Sequence, residues 1–83
     1  LSDAEKRIAL SIIRFADDQG TIRNGKVSIS KIPIQQDIAN MAGTSRETVS
    51  RALSVLEKEN LIERHGRELI ILDYKKFIKE FDS

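Results

Sequence analysis

The chain has 83 residues, with 14 Lys or Arg, 13 Asp or Glu and a formal net charge of +1. A length of this size makes one small domain, and the absence of cysteine excludes a disulfide framework and a thiolate metal site. The single histidine, His65, is too little for a histidine-rich metal site, no nucleophile–base set is visible, and no apolar run reaches the ~18 residues of a membrane span. We therefore expect no enzyme activity, no metal and no cofactor in this chain.

The first third of the sequence predicts a helix followed by a β-hairpin. Ser2 and Glu5 fit a capping box, and the helix should run from about Asp3 to Ala16. Its apolar residues fall on two faces at helical spacing. This pattern predicts either a helix packed on both sides or a helix with one face that meets a part of the protein outside this chain. After Gly20, the pair Asn24-Gly25 lies between two short segments and suits the positive φ angles of a type I′ turn.

The middle of the chain predicts two helices joined by a tight turn. Pro33 breaks regular structure before a short helix that presents Ile34, Ile38, Met41 and Ala42 on one face. Gly43 supplies the turn, and a third helix should cover about residues 46–59. Its core stripe consists of Val49, Ala52, Leu53 and Leu56. Helix, Gly-containing turn and helix form the helix-turn-helix pattern.

The last part of the sequence predicts a second hairpin and a short helix. Asn60 suits a left-handed helix end. Residues 61–72 should form two strands joined by a turn at His65-Gly66, and Asp73 can cap the final helix. The aromatic residues of that helix are either core or a docking face for another domain. The expected fold is mainly α with small β-hairpins, a winged helix-turn-helix over residues 1–83 with the second hairpin as the wing.

The third helix carries the polar groups that matter for function. Arginine can bridge O6 and N7 of guanine, and glutamate can accept from N4 of cytosine. Arg46, Glu47 and Arg51 therefore predict a helix that reads bases in the major groove. The pI of about 8.3 is modest for a nucleic-acid binder. Affinity for DNA must therefore come from where these charges lie rather than from how many there are.

Two N-terminal registers are open for the third helix. If Thr44 caps it, Glu47 completes a capping box with the backbone of Thr44. If Ser45 caps it, Thr48 takes the third helical position and Glu47 is free to face a groove. We favour the second register.

The string Ser45-Arg46-Glu47-Thr48-Val49-Ser50-Arg51 resembles the C-terminal DNA-binding domain of the cyclic-AMP receptor and fumarate–nitrate regulator (Crp/Fnr) family, supported by Asp37-Ile38-Ala39, Gly43 and Leu61-Ile62. The resemblance implies base reading by Arg46, Glu47 and Arg51 on a half-site similar to TGTGA. It implies contacts with the DNA backbone from Gln36, Ser45, Thr48, Ser50, His65 and Arg67. We expect a further phosphate contact from Arg64.

The resemblance also implies a larger regulator. Members of the family are homodimers with an N-terminal sensor domain and a dimerising helix, neither of which this chain contains, and RNA polymerase is an expected partner. The chain begins at Leu1 rather than Met and has no signal peptide, so we expect a piece of a cytoplasmic protein. Ile34 stands where the family commonly has a capping hydroxyl. The alternative function is a winged helix that binds protein without reading bases.

Overall fold

The computed structural model describes residues 2–82, which form four helices and one antiparallel sheet. The helices are α1 (Asp3–Gln19), α2 (Gln35–Ala42), α3 (Arg46–Lys58) and α4 (Tyr74–Phe81). The strands are β1 (Thr21–Arg23), β2 (Lys26–Ile29), β3 (Ile62–His65) and β4 (Glu68–Ile71). This order confirms the winged helix-turn-helix fold expected from the sequence. None of the helices within residues 2–82 has the length and apolar content needed to cross a bilayer.

The first helix is the centre of the core. Its capping box is present, since the Ser2 hydroxyl accepts from the Glu5 N–H and the Glu5 carboxylate accepts from the Ser2 N–H. The helix continues to Gln19, one turn beyond the predicted end. Both apolar faces are buried, and α1 contacts α2, α3, α4 and β2. Its buried apolar residues are Ile8, Ala9, Ile12, Ile13, Phe15 and Ala16.

A close approach explains the glycine that ends α1. A Cβ atom at Gly20 would lie 2.4 Å from the carbonyl oxygen of Ala16 and 2.5 Å from Cγ1 of Val27. Both distances are far below van der Waals contact, and the first atom belongs to backbone that cannot swing away. Only glycine therefore lets β2 pack this tightly against the end of α1.

The two predicted hairpins join into a single sheet with strand order β1-β2-β4-β3. The first hairpin turns at Asn24 and Gly25, whose φ angles of 54° and 79° fit the predicted type I′ turn. The junction between the hairpins pairs Ser28 on β2 with Ile70 on β4. Isolated two-stranded hairpins are marginal, so the β2–β4 pairing stabilises both. The inner face of the sheet buries Val27, Ile29, Leu69 and Ile71.

The helix-turn-helix is held by backbone geometry at its turn. Gly43 has a φ of 67°, a left-handed conformation that residues with a Cβ resist, and the Thr44 N–H donates to the Ala39 carbonyl at 2.9 Å. From α1, Nε of Arg7 donates to the carbonyl of Ala42 at 2.9 Å. The Arg7 bond satisfies a carbonyl that the end of α2 would otherwise leave unpaired, and the Thr44 bond adds to the one that the Gly43 N–H makes with the Ala39 carbonyl.

The predicted apolar face of α2 is wrong in part. Ile38 and Ala42 are buried, but Ile34 and Met41 are 55% and 58% exposed. A helix of eight residues offers only a narrow stripe to its neighbours. Ile34 precedes that helix in an extended conformation, so helical spacing does not describe its direction.

The wing differs from the prediction by one residue. His65 pairs with Glu68, so the loop consists of Gly66 and Arg67 rather than His65 and Gly66. Gly66 has a φ of 63°, and Asn60 has the predicted left-handed conformation, with a φ of 60°. The slip matters because it places Arg67 within the loop itself.

The last helix closes the core as predicted. The Asp73 carboxylate accepts from the Lys76 N–H at 3.1 Å and caps α4. Phe77 and Phe81 are buried, with ring centroids 4.8 Å apart, and Tyr74 is partly buried. These aromatic rings are therefore core residues in this structure.

Candidate nucleic-acid interface

The N-terminus of α3 adopts the favoured register. The Ser45 hydroxyl accepts from the Thr48 N–H at 3.1 Å, which makes Ser45 the N-cap. Within residues 2–82 the Glu47 carboxylate has no hydrogen-bond or ion-pair partner, so the capping box with Thr44 does not form. The local sequence thus caps the helix with a hydroxyl and leaves the carboxylate available for a ligand.

Two arginines stand with Glu47 on the first turns of α3. Arg46, Glu47 and Arg51 are all exposed, and no intramolecular partner of Arg46 exists among the described residues. Nη2 of Arg51 lies 3.4 Å from Oγ1 of Thr48, a distance longer than that of an ordinary hydrogen bond. Both guanidinium groups are therefore free to reorient toward a ligand at little cost.

The three hydroxyls predicted to contact the DNA backbone differ in their environment. Ser45 is exposed, and its Oγ lies 3.0 Å from Oγ1 of Thr48. Thr48 and Ser50 are partly buried. Because a hydroxyl can donate and accept at once, the Ser45–Thr48 pair retains capacity for a phosphate oxygen.

The predicted backbone contact on α2 is accessible. Gln36 is exposed, and its Nε2 donates to Oδ1 of Asn40 one turn later at 3.1 Å. That bond joins two surface side chains, so it competes weakly with a ligand. Ile34 makes no side-chain cap at the start of this helix, which leaves N–H groups of the first turn directed outward.

His65 lies at the end of β3, next to the wing loop. Its Nε2 is 3.3 Å from Oε1 of Glu63, and the two side chains are 62% and 53% exposed. A protonated imidazole at this place can meet a phosphate. The Glu63 carboxylate competes with a phosphate for contact with this ring, and sequence reasoning did not identify this partner.

The two wing arginines are already engaged within the protein. Nη2 of Arg64 donates to Oε1 of Glu57 at 2.6 Å, and this hydrogen bond holds the pKa of the Glu57 carboxyl below its usual range. Nε of Arg64 is buried, and among the described residues it has no hydrogen-bond partner. Arg67 is bonded to the carbonyl of Ile32. The expected phosphate contacts of Arg64 and Arg67 therefore compete with partners that sequence spacing did not reveal.

Comparison with known proteins gives one family. The family model described as "Crp-like helix-turn-helix domain" matches residues 6–79. A relative from Salmonella typhimurium, the "cAMP-activated global transcriptional regulator CRP", is 35% identical over 69 residues, which cover 83% of this chain and 32% of that protein. The "CRP-like cAMP-activated global transcriptional regulator" of Mycobacterium tuberculosis H37Rv is 28% identical over 94% of this chain and 35% of its own length.

A solved structure repeats this fold. The chain superposes with a TM-score of 0.82 and 34% identity on CooA, described as a "CO-dependent transcription factor" from Carboxydothermus hydrogenoformans. The match covers 98% of this chain and 37% of that protein. The chain thus spans about a third of the length of the relatives it matches.

Proposed function

The chain belongs to the family of Crp-like helix-turn-helix domains, and from that premise we propose how it binds DNA: α3 enters the major groove and the wing rests beside it on the phosphate backbone. As a member of this family, the chain is a sequence-specific DNA-binding domain and not an enzyme. A recognition helix presents its N-terminal residues to base edges, and Arg46, Glu47 and Arg51 lie exposed on the first turns of α3.

One observation carries this proposal. The Ser45 cap satisfies the start of α3 through its hydroxyl, and Glu47 is left exposed between two exposed arginines. Within residues 2–82 the Glu47 carboxylate and the Arg46 guanidinium group have no intramolecular partner, and the Arg51 guanidinium group makes only a long contact with Thr48. A carboxylate suits cytosine N4, and guanidinium groups suit guanine O6 and N7. We therefore propose Arg46, Glu47 and Arg51 as the base-reading residues, with a half-site similar to TGTGA.

The backbone contacts follow the same placement. We propose that Ser45, Thr48 and Ser50 donate to phosphates beside α3, and that Gln36 does so from α2. His65 and Arg67 approach the backbone from the wing, where both are exposed. Contacts of this kind orient a protein on the duplex without carrying sequence information.

The test is selection of bound duplexes from a random pool by the wild-type chain and by Arg51→Ala. We expect the wild type to enrich one motif that contains guanine and cytosine. Arg51→Ala should lose the preference at one guanine and keep the rest of the motif. Lys79→Ala, an exposed residue of α4, is the matched control for loss of one positive charge. Enrichment of the same motif by Arg51→Ala would remove Arg51 from the base-reading set.

For the longer protein, we propose a cytoplasmic transcription regulator whose output domain is this chain. Its relatives are named as transcriptional regulators, and the chain matches only about a third of their length, which is consistent with a sensor region elsewhere in the protein. We further propose that the intact protein is a homodimer through that region, that it acts with RNA polymerase, and that any cofactor binds outside this chain.

A further inference from the structure

A single wing residue holds the segment that leads into α2. The carbonyl of Arg67 accepts from the Ile32 N–H at 2.9 Å. Its side chain returns to the same residue, with Nε and Nη2 donating to the Ile32 carbonyl at 3.1 and 2.6 Å. Ile32 is buried, so both polar groups of a buried residue are fixed by one residue of the wing loop.

An open cleft lies between the wing loop and the start of α2. Its volume is about 180 Å³, and its lining includes Ile34, Gln35, Leu53 and Gly66. The side chain of Ile32 packs in the core, whereas the backbone N–H and carbonyl of Ile32 are held by Arg67. The hydrogen bonds of Arg67 therefore connect the wing loop directly to the segment before α2.

We propose that Arg67 is a positioning residue for DNA binding, which fixes the wing relative to α2 and α3 through its bonds to Ile32. The proposal rests on the proposed function. A wing and a recognition helix must meet one rigid duplex together, so their separation decides whether both sets of contacts form. The role needs the planar fork of arginine, because Nε and Nη2 reach one carbonyl together. Lysine offers a single nitrogen on a flexible stem.

Alanine substitution alone does not distinguish a role of the Arg67 charge from a positioning role of its side chain. If the charge of Arg67 served only to attract phosphate, lysine would replace it, since lysine binds phosphate well as a point charge. If Arg67 acts through Ile32, lysine should fail nearly as completely as alanine. The comparison of Arg67→Lys with Arg67→Ala therefore distinguishes position from charge.

The experiment measures the affinity of the chain for a duplex with its selected site by fluorescence anisotropy, at low salt where single-domain binding is strong enough to measure. Wild type, Arg67→Lys, Arg67→Ala and the charge control Lys79→Ala are compared, each first shown to be folded by circular dichroism. Hydrogen exchange of the Ile32 amide, without DNA, reports how often its bond to the Arg67 backbone carbonyl opens once the side-chain bonds to the Ile32 carbonyl are lost. The Leu72 amide, bonded to the Leu61 carbonyl, is the internal reference. Should Arg67→Ala unfold, Arg67→Lys carries the comparison.

We expect both Arg67 variants to bind roughly tenfold more weakly, the scale of one lost charged hydrogen bond. Exchange at Ile32 should accelerate roughly tenfold with no change at Leu72. Wild-type affinity of Arg67→Lys, or weakened binding with unchanged exchange at Ile32, would overturn the positioning role. If the proposed function itself is wrong, the wild type will bind the selected duplex and a scrambled duplex equally. This outcome differs from both results that overturn the positioning role.

Discussion

At the scale of single residues, Tyr74 offers the clearest electrostatic signature of the fold. Its hydroxyl donates to the carboxylate of Asp17, which joins α4 to α1. Burial, followed by this hydrogen bond, raises the pKa of Tyr74 to about 12. The chain has one tyrosine and no tryptophan, so absorbance near 295 nm reports this residue alone.

The raised pKa predicts how stability changes with pH. The unfolded chain releases the Tyr74 proton near pH 10, while the folded chain keeps it to about pH 12. The contribution of Tyr74 is therefore complete below pH 10 and is lost as the pH rises toward 12. Urea titrations at pH 9, 10 and 11 should show a fall in the free energy of unfolding that is smaller in Tyr74→Phe. Equal falls in both proteins, or an absorbance midpoint near 10 in the folded chain, would refute the assignment.

The residue scale also shows where sequence reasoning stops. The Ser45 cap and the exposure of Arg46, Glu47 and Arg51 follow from local pattern, since a hydroxyl before an amphipathic helix suits an N-cap. The hydrogen-bond partners of Arg64 and Arg67 do not follow from the local sequence pattern. Each bond depends on how the wing folds back on the helix-turn-helix, and a surface arginine has many acceptors within reach of its long side chain.

At the scale of elements, α2 is the weakest helix of the motif. It has eight residues, and Ile34 occupies its N-cap without a side-chain hydrogen bond. Ile34 is 55% exposed, so replacing it forfeits little buried surface. A hydroxyl at this place could accept from the Asp37 N–H, which now donates to the Ile34 carbonyl at 3.0 Å, or from the Gln36 N–H.

We therefore expect Ile34→Ser to stabilise the chain. A new N-cap contributes about 0.5–2 kcal/mol relative to a residue that cannot cap. Ile34→Ala is the matched control, because it removes the same apolar surface and supplies no cap. The measurement is the free energy of unfolding from urea titration. If serine and alanine give equal values, capping does not limit the stability of α2.

Elements were predicted well where the signal is local and poorly where it is not. The pair Asn24-Gly25 is enough to predict a hairpin turn, and Asn60 alone is enough to predict a left-handed helix end. The pairing of β2 with β4 joins residues forty or more positions apart, including Ser28 with Ile70, and no periodicity reports such a contact. The one-residue slip of the wing loop has a related cause, because register is set by the pairing of the flanking strands.

At the scale of the whole molecule, charge alone is a poor guide to DNA binding. A net charge of +1 gives little general attraction to a polyanion. One domain also makes one set of contacts, whereas a dimer reads two half-sites about one helical turn apart. Affinity must then come from a few placed contacts and from linkage between domains.

This predicts that the isolated chain is a monomer, or a weak dimer, that binds DNA weakly. A tandem protein with two copies joined by a flexible linker should bind a duplex with two half-sites about 10²–10⁴-fold more tightly. The control is the same tandem on a duplex with one half-site. Analytical ultracentrifugation and anisotropy measure the two quantities. Monomeric nanomolar binding by the single chain at physiological salt would contradict the expectation.

Sequence specificity in the proposed complex depends on base reading by the first turns of α3. The most direct test is a base-by-base substitution series across one half-site, with wild type, Glu47→Ala and Arg51→Ala. We predict that Arg51→Ala loses about 1–3 kcal/mol on the preferred site and little on random DNA, with the loss confined to one guanine position. Glu47→Ala should relax the preference for one cytosine more than it weakens affinity. A uniform loss at every position in both variants would contradict the account, because α3 would then contribute charge without reading sequence.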